Sequence, residues 1–195
     1  MTEGGPGASG GCVRAFVALE IDAALRARLS ALIEELRPLV PGVRFVPAEN
    51  LHLTLRFLGP SAEGQLRRLR AALAPLAAAC PEQRVPAAGL GMFPPKGPPR
   101  VLWADLALSA PLMDLQKGCE RAARAAGFAA ETRRFRSHLT LGRFRGAARR
   151  PELPAPDLGE TLASRLTLFR SDLRPAGAVY TAIESWALGR GSGLD

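Results

Sequence analysis

A chain of 195 residues with 47% hydrophobic and 23% charged residues has globular composition and enough apolar matter for a sizeable core, which excludes a disordered chain. No apolar run approaches the ~20 residues that span a bilayer, so no membrane-crossing helix and no membrane partner is expected. The formal net charge of +8, from 26 basic and 18 acidic residues, fits an anionic partner, nucleic acid first.

Only Lys96 and Lys117 are lysines, so arginine carries nearly all of the positive charge. Its planar fork grips phosphate in two places at once. A GC-rich genome gives the same skew, so charge alone decides nothing. Residues 1–11 lack the basic and apolar regions of a secretory signal and read as a flexible tail, with residues 12–195 forming one domain. Cys12, Cys80 and Cys119 are odd in number and widely scattered, with no CxxC spacing. That argues against a disulfide framework or a zinc knuckle and fits a reducing, cytoplasmic setting.

In chain order, 12–21 alternates and is rich in β-formers, which predicts a strand. Residues 22–39 carry Leu25, Leu29, Leu32, Ile33 and Leu36 at helical spacing, with Asp22 as N-cap and Pro38 closing the run. A short strand at 43–46 precedes Pro47, and 52–59 reads as a strand ended by Gly59-Pro60. Ser61 is the expected cap of a helix over 62–79. Strands at 84–93 and 100–108 flank the proline-rich turn 94–99, and a helix over 110–127 stops at Gly127. A strand at 137–144, a basic and proline-rich loop over 145–160, and a hairpin of two long strands at 162–173 and 178–189 complete the chain. Helices and strands mix without strict alternation, and hairpins are present. The expected fold class is therefore α+β with antiparallel sheets, arranged as two pseudo-symmetric lobes with a comparable strand in each.

Those comparable strands carry the chemistry. The chain has two histidines, His52 and His138, and each opens the tetrapeptide HLTL, 86 residues apart. On a strand, side chains at i and i+2 share a face. His52 and Thr54 thus project together, as do His138 and Thr140, while the leucines between point to the core. A lone strand histidine is an ordinary core or surface residue. Two identical copies among diverged surroundings point to chemistry.

Two imidazoles, one on either side of a phosphorus, can run an in-line displacement. The neutral one takes a proton from the entering oxygen and the charged one gives a proton to the departing oxygen. The threonine hydroxyls can hold the non-bridging oxygens, where charge accumulates. No cofactor or metal is required. Spacing does not decide which histidine is acid and which is base.

The paired HxTx motifs resemble those of the two-histidine (2H) phosphoesterase superfamily. Within it, the chain is similar to bacterial and archaeal RNA 2′,3′-cyclic phosphodiesterases, also called 2′-5′ RNA ligases. The blocks RAFVALEID, VRFVPAENLHLTLRFLG, FPPKGPPRVLWADL, RRFRSHLTLGRFR and AVYTAIESWALG follow the family order and span most of residues 13–189. The resemblance implies two lobes with the motifs facing each other across a central cleft. It also implies hydrolysis of an RNA 2′,3′-cyclic phosphate end to a 2′-phosphate, with His52 as proton donor to O3′ and His138 as proton acceptor from water. It further suggests Phe57, stacking a base, and Arg143, binding phosphate, as substrate contacts. Strict alternation puts both on the leucine face, unless Gly142 marks a bulge that re-aims Arg143. Arg56, on the histidine face by alternation, is a candidate phosphate contact.

The expected partner is RNA with a 2′,3′-cyclic phosphate end, or a nucleoside cyclic phosphate, met by a monomer. ATP-independent 2′-5′ ligation by the reverse reaction is one rival reading, and a non-catalytic RNA-end binder another. A metal hydrolase would have a poor ligand set, with two histidines and no carboxylate cluster. Trp103 and Trp186 are expected to pack between strands rather than to carry bases.

Overall fold

Residues 12–175 and 177–189 are described by the computed structural model. The tail expected at 1–11 lies outside the described residues. The elements run β1 (Val13–Glu20), α1 (Ala23–Leu39), β2 (Val43–Phe45), a 3-10 turn (Ala48–Asn50), β3 (His52–Ser61), α2 (Glu63–Ala79), β4 (Gln83–Phe93) and β5 (Val101–Leu106). They continue with α3 (Ala110–Ala125), β6 (Leu139–Phe144), β7 (Asp157–Ala163), β8 (Arg165–Arg174) and β9 (Gly177–Ala187). The fold is α+β, three helices on an antiparallel sheet, as expected. Among the described residues no helix is long and apolar enough to cross a membrane.

The strand order is β7-β4-β5-β6-β3-β1-β8-β9, with β2 paired to β6 off this path. The strands that carry the two HLTL motifs, β3 and β6, are therefore neighbours in the middle. They share the antiparallel pair Leu53↔Leu139. That register sets His52 across from Thr140 and Thr54 across from His138, all four on the face away from the leucines. Leu53, Leu55, Leu139 and Leu141 are buried, none more than 3% exposed. Each such leucine contributes about 1.5–3 kcal/mol to holding its strand.

Asp22 caps α1 as expected, accepting from Leu25 N at 2.8 Å. The same carboxylate accepts from Leu162 N at 2.8 Å, and Arg28 of α1 donates to the carbonyls of Leu158 and Glu160, so α1 docks on β7. α2 and α3 pack together where Gly118 leaves room for Leu76; a Cβ there would lie 2.9 Å from Leu76 Cδ2. α3 runs behind β3, with Gln116 Nε2 donating to Leu55 O at 3.4 Å. Its end follows the expected glycine stop: Gly127 has φ +92° and Phe128 N donates to Ala123 O.

Several element boundaries differ from expectation, beginning with β3, which runs through Gly59-Pro60 instead of ending there. Ser61 does not cap α2, because it is still in β3, opposite Val13, and its hydroxyl donates to Gly59 O. Ala62 holds the cap position, with its N–H satisfied by Gln65 Oε1 at 3.1 Å. The loop expected over 145–160 also ends early, since 157–163 forms β7 against β4. An extra residue in β7 near Gly159 sets its buried residues, Leu158, Thr161 and Ala163, out of strict alternation. The strand is thereby concealed from a period-two reading. The long strand expected from 162 accordingly divides at Ser164 into β7 and β8.

Candidate active site

The two histidines are held alike. His52 Nδ1 donates to Asn50 O at 2.7 Å, and His138 Nδ1 donates to Arg136 O at 2.8 Å. In each case the carbonyl two residues upstream takes the Nδ1 proton. The neutral imidazole is therefore left with a bare Nε2, the atom free to exchange a proton. His52 Nε2 lies 3.0 Å from Thr54 Oγ1, which donates to it in the neutral form.

Their surroundings differ. The ring of Phe16 stacks on His52 at 4.7 Å, Tyr180 meets it edge-on at 5.2 Å, and Phe169 lies at 6.1 Å. Burial pushes the His52 pKa down to about 4; the charges of His138 and Arg26 act the same way and the Asn50 carbonyl opposes them. His138 has Phe93 edge-on at 5.1 Å. Its pKa is also lowered, by burial first and then by Arg143 and Arg136, against the pull of the Arg136 carbonyl and Asp105.

Each motif strand carries a bulge at the second leucine of its HLTL. β1 pairs Ala18 with Thr54 and Val17 with Arg56, so Leu55 is extra; β5 pairs Trp103 with Thr140 and Leu102 with Gly142, so Leu141 is extra. Beyond a bulge the alternation resumes out of phase. Phe57 and Arg143 consequently turn to the histidine face and line the cleft, against strict alternation. Gly142 permits this by lying flat under β2, where a Cβ would come within 2.5 Å of Val43 Cγ1.

The same bulge corrects the expectation for Arg56. Its side chain goes to the leucine side and is 7% exposed. It is in ionic contact with Glu120 of α3 and donates to the carbonyls of Phe57 and Ala129. It therefore braces the back of β3 instead of reaching the cleft.

The cleft has a volume of about 430 Å³ and extends over the His52 half; its lining includes Thr54, Thr140, Phe57 and Arg143. The β8–β9 hairpin, at the far end of the strand order, reaches back across β1 and β3 to cover it. Asn50 Nδ2 donates to Ala178 O at 2.8 Å, and Arg44 Nη2 lies 3.5 Å from Pro175 O. Sequence reasoning did not single out Arg14, Phe16, Asn50 and Tyr180, which also line the cleft. All four stand within the family-like blocks, but what gathers them is tertiary pairing. Trp103 packs between strands as expected, its ring 5.0 Å from that of Phe93. Among the described residues no three His, Cys, Asp or Glu side chains gather as metal ligands would.

The LigT like Phosphoesterase family matches residues 19–103. The RNA 2′,3′-cyclic phosphodiesterase of Methanothermobacter thermautotrophicus is 34% identical, over 90% of this chain and 99% of the relative. The crystal structure of TT0787 of Thermus thermophilus superposes with a TM-score of 0.82 at 31% identity, covering 91% of this chain and 99% of that one. E. coli LigT complexed with 3′-AMP superposes with a TM-score of 0.78 at 25% identity, covering 91% of this chain and 98% of that one. The chain belongs to the RNA 2′,3′-cyclic phosphodiesterases, a family of LigT-like phosphoesterases.

Proposed function

We propose that this chain hydrolyses RNA 2′,3′-cyclic phosphate ends to 2′-phosphomonoesters, with His52 and His138 as general acid and base and no metal. The observation that carries the reading is the matched pair of imidazoles. Each has its Nδ1 proton tied to a carbonyl, which leaves Nε2 to carry the exchangeable proton, and a threonine on the same face of adjoining strands. Residues 12–195 act as one bilobal, monomeric domain, its lobes the strand sets β7-β4-β5-β6 and β3-β1-β8-β9, with one motif strand from each at the centre. The LigT structure holding 3′-AMP supports a nucleotide as the occupant of the cleft.

The position of the cleft supports the division of labour. It opens over His52 and so gives the nucleoside a place on that side of the phosphorus. The ribose O3′ then lies nearest His52, and water enters from the side of His138. His138 Nε2 takes the water proton as the water oxygen bonds to phosphorus. The P–O3′ bond breaks and His52 Nε2–H delivers its proton to O3′, leaving a 3′-hydroxyl and a 2′-phosphate. With the Nε2–H of charged His52 turned to O3′, Thr54 no longer donates to that nitrogen and its hydroxyl hydrogen is available to a non-bridging oxygen. Thr140 serves the other oxygen, and Arg143 and Phe57 hold phosphate and base.

The low pKa of His52 favours the reverse division, with His52 as the neutral base. A bound phosphate anion offsets that burial by stabilising the imidazolium. The test is turnover of a nucleoside 2′,3′-cyclic phosphate with identification of the product. Formation of 2′-monophosphate, and loss of at least about a hundredfold in rate for both His52→Ala and His138→Ala, are expected. Near-normal turnover in either variant defeats the reading. Added 5′-hydroxyl RNA reports whether joined product competes with hydrolysis. Salt-sensitive binding that survives both substitutions without product would instead mark an RNA-end binder.

A further inference from the structure

Arg14 lies two residues before Phe16 on β1, hence on the same face, and lines the cleft. Its guanidinium carbon is 4.5 Å from the centre of the Phe57 ring. That stack fixes the plane of the fork while leaving its N–H edges free. Among the described residues Arg14 enters no ion pair.

Two guanidiniums thus serve one cleft, at different removes from the imidazoles. The charges of Arg143 and Arg14 both act on the Tyr180 hydroxyl, but that of Arg143 also acts on His138. Arg143 stands beside the reacting phosphate. Arg14 stands further along β1, opposite Pro60, whereas Phe16, whose ring stacks on His52, is opposite Phe57. A nucleoside attached to the reacting phosphate spans that interval. In an RNA chain, the next group on its 5′ side is another phosphodiester, whose two non-bridging oxygens match the fork.

We infer that Arg14 grips the phosphodiester on the 5′ side of the terminal nucleotide, so that the site takes the end of an RNA chain in preference to a free nucleoside cyclic phosphate. This rests on the cyclic-phosphate reading of the same cleft. A guanidinium presented by its face to a nucleobase is the competing role, and it predicts no difference between the two substrates.

The experiment compares kcat/KM for a nucleoside 2′,3′-cyclic phosphate and for the dinucleotide with the same cyclic terminus, in the full chain and in Arg14→Ala, across a salt series. The full chain is expected to favour the dinucleotide by about tenfold or more, as a charge-assisted phosphate contact gives. In Arg14→Ala that ratio is expected to fall to near one. The salt dependence of the dinucleotide is expected to be steeper by about 0.7 in log–log slope, one phosphate's worth, and the difference is expected to vanish in the variant. A ratio left intact by Arg14→Ala, whether both rates fall together or neither falls, overturns the inference. If the unaltered chain opens neither substrate, the cyclic-phosphate reading fails instead.

Discussion

Around the two HLTL strands the molecule is the same at short range and different at longer range. Both histidines give their Nδ1 proton to the carbonyl two residues back, and both strands bulge at the second leucine of the motif. Beyond that shell the likeness ends. His52 is walled by Phe16, Phe169 and Tyr180 and opens on the cleft, whereas His138 lies against Phe93 and within reach of the charge of Arg143. Duplicated backbone geometry gives two imidazoles held alike, and unequal packing makes them chemically distinct. An in-line reaction needs both properties, since one carrier must start charged and the other neutral.

The largest expected effect breaks the comparison at the chemical step. A substrate whose 3′-oxygen is replaced by sulfur releases a 3′-thiolate, which needs no proton to depart. It should restore about a hundredfold or more of the rate lost in His52→Ala and little of that lost in His138→Ala. Rescue of the His138 variant alone would reverse the roles.

Next in size is a contrast between the residues that the bulges sort to opposite sides. Arg56→Met removes the buried partner of the half-buried Glu120 and should cost about 3 kcal/mol of stability by chemical denaturation. Arg143→Met, on an exposed cleft residue, should cost within about 0.5 kcal/mol of stability while raising KM. Equal stability losses would mean that Arg56 does not brace β3.

The smallest effect is on pH. His52 titrates at about 4 in the folded chain against about 6.5 unfolded. Above 6.5 it is neutral in both states and costs nothing. As pH falls from 6.5 to 4 the unfolded chain takes up the proton first, so stability declines, and the decline saturates below 4 at about 3 kcal/mol. His138 adds to the decline in the same direction. A His52→Gln variant should lose the larger part of this slope between pH 7 and 4, read from urea midpoints. Bound phosphate should reduce it in the unaltered chain.

Much of this was legible before any coordinates. The helical stripe from Leu25 to Leu36, the cap at Asp22, the stop at Gly127 and the pairing of each histidine with its threonine all follow from local periodicity and local chemistry. Period-two logic misled where pairing intervened. The bulge at Leu55 exchanges Arg56 and Phe57 between faces, and an added residue near Gly159 conceals β7. A bulge belongs to two strands at once, so one strand's letters do not declare it, although Gly142 gave a hint. Arg14 and Tyr180 reach the site through tertiary pairing, a relation that no local window contains.

The hairpin that ties Ala178 to Asn50 and Pro175 to Arg44 makes the cleft a passage with a bar across it. A strand continuing in both directions would have to be threaded beneath that bar, whereas a free terminus needs only to slide in. In the cyclic-phosphate reading proposed above, that arrangement would favour a chain end before any base is read.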